Sequence, residues 1–229
     1  MLHIGIVACS TEGAALCYRT ISLEGAQALG KHDHPEVSLH SFSLAEYMKS
    51  IDANDWAGVA ELMLKSAEKL ARAGADFLIC PDNTIHQAFD LVEHRSPRPW
   101  LHIAREVAKE AQRRQFKRLA VLGTRYLMEG PVYREALNAA GIERRIPGPD
   151  QRERINQIIF NELVNGQFLP RSLAYYVEVI RSLKDEGCDA VVLGCTEIPL
   201  LVAPEASPLP TLDSTRLLAR AAVQKAIEG

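Results

Sequence analysis

Short apolar runs recur along the chain, separated by longer stretches whose apolar positions return every three or four residues. Ile4–Ala8 (IGIVA), Asp76–Cys80 (DFLIC), Leu119–Leu122 (LAVL) and Asp189–Leu193 show no alternation, the signature of strands covered on both faces. Val37–Phe42 (VSLHSF) alternates and reads as a further strand. Helical periodicity spans Ala14–Leu29, Trp56–Ala73, Leu101–Gln112, Pro131–Ala140, Gln151–Asn165, Ser172–Glu186 and Ser214–Ile227. Asn54 is a plausible N-cap for the second of these, and Gly74, Gly141, Gly166 and Gly187 stop four of them. Pro147-Gly148-Pro149 reads as a loop and the run from Pro204 to Pro210 as a crossover. Strands alternating with helices predict an α/β protein built on parallel sheets.

The pattern also repeats. Gly74-Ala75-Asp76 leads through a buried run to Asp82, and Gly187-Cys188-Asp189 leads through another to Cys195. IGIVACST near the start matches LAVLGTR near Leu119. Two pseudo-symmetric lobes follow, each a parallel-sheet α/β sandwich: residues 1–98 with 208–229, and residues 99–207. The expected active site lies in the interlobe cleft, since domain interfaces are common ligand sites.

With 229 residues, 47% of them hydrophobic, the chain can bury one large core or two smaller ones. A net charge of −3 argues against nucleic acid and anionic membranes as partners. No apolar run approaches the roughly 20 residues that cross a bilayer. The opening MLHIGIVACS lacks the charged start and cleavage site of a signal peptide, so a soluble cytoplasmic protein is expected. Cys9, Cys17, Cys80, Cys188 and Cys195 form no C-x-x-C pair, and the histidines form no metal-ligand cluster.

The chemistry concentrates in Val191–Leu201 (VVLGCTEIPLL). The strand ends at Gly194 and delivers Cys195, Thr196 and Glu197 to the carboxyl edge, where open α/β sheets bind ligands. Pro199 suits the first turn of a following helix. Cys195 is the candidate catalytic thiol, its acidity open to tuning by helix-start N–H groups or cations. Asn83, Thr84, Thr124 and Thr196, with Ser10 and Thr11, form a set suited to a carboxylate, although each alone also suits a cap. Glu197 can orient a partner, bind an ammonium group or simply face a helix start. His86 reads better as a packed or surface histidine than as a catalytic one, while Arg125 and Lys49 are candidates for a substrate side-chain carboxylate.

Tyr18-Arg19-x-Ile21, Asn83-Thr84-x-His86, Leu122-Gly123-Thr124, Met128-Glu129-Gly130 with Tyr133, Glu162-Leu163 with Gly166, Leu193–Leu201 and Asp213-x-Thr215 together resemble the aspartate/glutamate racemase family of cofactor-independent amino-acid racemases. The resemblance covers nearly the whole chain. It implies two similar α/β lobes, a site between them, a homodimer, an amino-acid or related carboxylate substrate, and neither pyridoxal phosphate nor metal. It also implies two cysteines, one per lobe, on opposite sides of the substrate α-carbon.

Here Asp82 stands where the first cysteine belongs, Leu218 where a histidine is common, and Val164-Asn165-Gly166 where aspartate-specific members place a lysine. Cys80 lies below the strand end and is not taken as the replacement thiol. Three roles are open to Asp82: an acid/base opposite Cys195, a ligand for a substrate ammonium, or a turn-former bonding the backbone nearby. The expected function is a PLP-independent amino-acid racemase or epimerase. Its rivals are a single-cysteine decarboxylase or isomerase of small dicarboxylic acids, and a non-catalytic binder.

Overall fold

The computed structural model describes all 229 residues. Two units divide the chain: residues 1–103 with 215–229, and residues 104–214. The first contains β1 (Ile4–Ala8), α1 (Thr11–Leu29), β2 (Val37–Ser41), α2 (Leu44–Asp52), α3 (Trp56–Arg72), β3 (Phe77–Ile79), α4 (Phe89–Glu93) and β4 (Trp100–Leu101). The second contains β5 (Arg118–Leu122), α6 (Arg125–Glu129), α7 (Pro131–Ala139), β6 (Glu143–Arg145), α8 (Pro149–Asn161), α9 (Pro170–Asp185), β7 (Ala190–Leu193), α10 (Ile198–Leu201) and β8 (Thr211–Asp213). Helix α5 (Ile103–Arg113) opens at the first boundary and runs in the second unit, and α11 (Ser214–Glu228) opens at the other boundary and runs in the first.

Each unit holds one four-stranded sheet, and all pairings are parallel. The orders are β2-β1-β3-β4 and β6-β5-β7-β8. The repeat seen in the sequence is thus a repeat of topology, with β1 equivalent to β5 and β3 to β7. Two α/β lobes of one plan result. In each, strand order reverses between the two central strands, β1 and β3 or β5 and β7. Loops leaving their carboxyl ends diverge there, and that crevice is where open α/β sheets bind ligands.

The central strands are covered on both faces, which explains their unbroken apolar runs. In the first unit, Ile4, Ile6, Phe77 and Ile79 pack with Cys17 and Ile21 of α1 and with Leu218, Ala219 and Ala222 of α11. Leu218, at the position where the resemblance expects a histidine, is fully buried there. Gly5 presents the opposite face to Leu78 and to Leu70 of α3. In the second unit, Ala120, Leu122, Val191 and Leu193 pack with Ile155, Ile158 and Ile159 of α8 and with Tyr176, Val179, Ile180 and Leu183 of α9.

The repeated Gly-x-Asp has a structural purpose. Gly74 and Gly187 take positive φ, 99° and 89°, as helix-stopping residues. Asp76 then accepts a 2.8 Å bond from the His3 N–H, and Asp189 accepts from the N–H groups of Lys117 (2.7 Å) and Arg118 (3.2 Å). Each aspartate therefore ties the start of one central strand to the start of its neighbour and sets their register.

Several sequence-based expectations are corrected. The N-cap of α3 is Asp55, whose side chain accepts from the Gly58 N–H at 2.9 Å. Asn54 is left-handed (φ 54°) and instead accepts from the Trp56 indole at 2.8 Å. Helix α1 begins at Thr11, so part of the expected polar turn is helical. Pro149 lies inside the first turn of α8, and the helix expected to reach Asn165 ends at Asn161 before a 3-10 turn at Leu163–Asn165. Leu101 belongs to β4 and not to α5. Helix α2 and strands β4, β6 and β8 have no counterpart in the expected elements. The three strands are two or three residues long, too short to show a period, and exist through pairing with a central strand.

Replacing Asp189 with Ala strands two backbone donors at the start of β5. It should lower stability by about 1–3 kcal/mol, read as a lower urea midpoint with an intact far-UV spectrum.

Candidate active site

In the second unit the ends of β5 and β7 lie close together. The Gly194 N–H donates to the Leu122 carbonyl at 2.8 Å, extending the pairing past β7. A Cβ on Gly194 would sit 2.9 Å from that carbonyl oxygen and 2.6 Å from Leu127 Cδ2. One on Gly123 would sit 2.7 Å from the same Leu127 atom and 3.3 Å from the Gly194 carbonyl oxygen. Glycine at both positions is a packing requirement, and it lets the Gly194–Glu197 turn leave the sheet edge. Helix α10 opens immediately after, with Pro199 in its first turn.

On that turn the Cys195 thiol donates to Glu197 Oε2 at 2.9 Å, and the Thr196 hydroxyl donates to the same oxygen at 2.8 Å. Cys195 is half-buried, whereas Thr196 and Glu197 are buried. The contact changes the electrostatic picture. Expected N–H dipoles favour a thiolate, but a carboxylate accepting the S–H favours the thiol. The arrangement is therefore a thiol donor with a carboxylate acceptor two residues on.

Thr124 is the N-cap of α6, its hydroxyl oxygen accepting from the Leu127 N–H at 3.2 Å. The Arg125 side chain lies half-exposed, 4.0 Å from Glu153 and 5.7 Å from the Tyr126 ring.

The equivalent turn of the first unit is built differently. Asp82 Oδ1 accepts from the Ile85 N–H at 3.1 Å, capping a 3-10 turn over Thr84–Ala88. Its backbone carbonyl accepts from His86 Nδ1 at 2.7 Å, and His86 Nε2 accepts from the Ile103 N–H at 3.4 Å. Those roles assign a neutral imidazole protonated on Nδ1. His86 is buried against Phe89 and His102, so it is a bracket between the Asp82 turn and the start of α5. Asn83 is buried and Thr84 half-buried on the Asp82 turn. Ser10, at the N-cap of α1 after β1, is buried, while Thr11 is exposed. Lys49 is exposed on α2.

The geometry thus groups Cys195, Thr196 and Glu197 by direct bonds, with Thr124 on the neighbouring strand end. It groups Asp82, Asn83 and Thr84 on one turn, with Ser10 after the adjacent strand. No three His, Cys, Asp or Glu side chains converge as metal ligands, and no helix is long and apolar enough to cross a membrane. Sequence reasoning missed Tyr176, a fully buried residue of α9 whose phenol lies in the field of Cys195, Glu197 and Glu162. At an apolar position of an amphipathic helix its hydroxyl left no signal.

Burial separates the thiols. It pushes Cys80 up, aided by the Asp82 charge, and pushes Cys188 up to about 11. Thiols held up in this way stay protonated and unreactive at pH 8.

The model of the family described as Asp/Glu/Hydantoin racemase matches residues 6–222. The broad specificity amino-acid racemase RacX of Bacillus subtilis (strain 168) is 26% identical over 197 residues, covering 83% of this chain and 82% of that protein. A crystal structure from Yersinia pestis, described as a candidate Asp/Glu racemase, superposes with a TM-score of 0.91 at 33% identity, covering 99% of this chain and all of that one. An aspartate racemase homologue from Pyrococcus horikoshii OT3 gives 0.86 at 28% identity, with the same coverage.

Iodoacetamide at pH 8 should label Cys195 first and leave Cys80 and Cys188 unmodified in the native protein, read by peptide mass spectrometry. Cys188 should become reactive only as the pH approaches 11. Dominant labelling of Cys188 at pH 8 would contradict this ordering.

Proposed function

The chain belongs to the Asp/Glu/Hydantoin racemase family, and from that membership we propose that it is an isomerase inverting the α-carbon of an amino acid without pyridoxal phosphate or metal. The observation that carries the reading is the Cys195 thiol, held at the carboxyl end of β7 by the Glu197 carboxylate. A protonated, oriented thiol at a sheet edge is suited to giving a proton to a carbanion and, in the reverse direction, taking one back.

In this mechanism the Asp82 carboxylate takes the α-proton, forming an O–H bond. The C–H electron pair moves into the α-carboxylate as an enediolate. The Cys195 S–H bond then breaks as a new C–H bond forms on the opposite side, leaving a thiolate and a neutral Asp82. Roles exchange in the other direction, as two-base proton transfer at carbon requires. Asn83, Thr84, Thr124 and Thr196, with Ser10 and nearby turn N–H groups, bind the α-carboxylate and favour the enediolate charge. Glu197 keeps the thiol protonated and aimed. An ordinary aspartate, titrating near 3.9, is a weaker base than a thiolate near 8.5, so the two directions differ in their chemical barriers.

The Asp82 bond to the Ile85 N–H favours a second reading, in which Asp82 is a cap and only Cys195 moves protons. That enzyme is a single-thiol decarboxylase or isomerase of small dicarboxylic acids. It would leave amino acids untouched and consume a diacid.

Both enantiomers of the common amino acids, incubated with the protein in heavy water, distinguish these readings. The racemase should exchange the α-proton of at least one for deuterium, with loss of optical rotation. Cys195→Ala should slow that exchange by about 10²–10⁴-fold, and a variant as fast as the parent would sink the mechanism. Asp82→Cys should raise the rate or bring the two directions closer together.

A further inference from the structure

Tyr176 lies on α9 with no exposed surface, inside the core against which Cys195 packs. Ile198 and Leu201 of α10, the helix that follows the thiol turn, belong to the same core. Its hydroxyl is fully buried and has no hydrogen-bond partner. Such a group costs free energy in the resting protein, so its presence needs a physical reason. The groups bearing on the phenol are Cys195, Glu197, Glu162 and, more weakly, Tyr175. Of these, Glu162 already accepts from Ser172 and from Arg171 at 3.4 Å. Glu197 accepts from Cys195 and Thr196 in the resting state.

Proton transfer alters this balance. Once the Cys195 S–H bond has broken, the bond it donated to Glu197 is gone. A thiolate then stands beside a carboxylate in a largely buried turn, where two like charges repel strongly. A polar hydrogen uncommitted in the resting protein, shielded from water in the core against which Cys195 packs, suits that change. We infer that Tyr176 is a positioning residue that donates its idle O–H to the Cys195–Glu197 pair when the thiol loses its proton, stabilising the thiolate state of the site. Burial and the surrounding anions hold the phenol far above its ordinary titration range, so it stays a donor and never competes as a base. No bond to hydrogen is broken at Tyr176; the phenol keeps its proton throughout. The inference deepens the proposed reaction and rests on Cys195 being its proton carrier, but the thiolate it concerns can be measured without any substrate.

The test is the pH dependence of Cys195 alkylation by iodoacetamide, followed by peptide mass spectrometry in the wild type, Tyr176→Phe and Tyr175→Phe. Tyr176→Phe should move the midpoint up by about one unit, a roughly tenfold smaller thiolate fraction at any pH below it. Tyr175→Phe should leave it in place. Thermal unfolding of Tyr176→Phe should be unchanged or slightly raised, because the substitution removes a buried hydroxyl with no partner. A loss of packing alone lowers the melting temperature and does not shift the midpoint. An unchanged or lowered midpoint in Tyr176→Phe would overturn the inference. Absence of deuterium exchange in any amino acid would overturn the racemase reading instead, and leaves the alkylation result to decide the role of Tyr176.

Discussion

The backbone bond from the Gly194 N–H to the Leu122 carbonyl governs the chemistry of the second unit. It carries the pairing of β5 and β7 one residue beyond the strand, and it closes the two strand ends until no side chain fits between them. Gly194 and Gly123 are the consequence, with Leu127 filling the space a Cβ would need. Once the backbone is held there, the next three residues have one way out, over the sheet edge. Thiol, hydroxyl and carboxylate emerge on a single tight turn, bonded to one another before any substrate arrives.

The same topology in the first unit carries different chemistry. There the strand-end residue is Asp82, whose carboxylate caps a 3-10 turn and whose carbonyl is pinned by a neutral His86 bridging to Ile103. The thiol of the second unit's turn donates a hydrogen bond, whereas the carboxylate of the first unit's turn accepts one. Two copies of one α/β plan thus carry different polar groups on equivalent turns. Cys80, two residues before Asp82, keeps its proton because burial and the neighbouring Asp82 charge push its thiol up.

Much of this was readable in the residues. The four central strands stood out because strands covered on both faces have no polar interruptions, and their ends were marked by Gly, Pro and hydroxyl residues. The repeat Gly-x-Asp-strand announced two units of one design, and the structure adds that its aspartates tie neighbouring strands at their starts. The short strands β4, β6 and β8 escaped notice, since two or three residues carry no period. Asn54 was mistaken for the cap of α3 because Asn and Asp are interchangeable in composition at such positions. Only φ and the hydrogen bonds distinguish Asp55 from it.

The candidate site divides along the same line. Sequence alone determined that a thiol, a threonine and a glutamate leave a buried strand together, because strand and turn signals are local. The structure adds which oxygen the thiol meets, the Glu197 carboxylate two residues on, because residue order alone does not give the turn's geometry. Tertiary structure decided that His86 is a bracket and that Tyr176 is buried in the core against which Cys195 packs. Those placements depend on contacts between separated segments, His86 with Ile103 and α9 with β7, and no local pattern encodes which neighbours a packed segment meets.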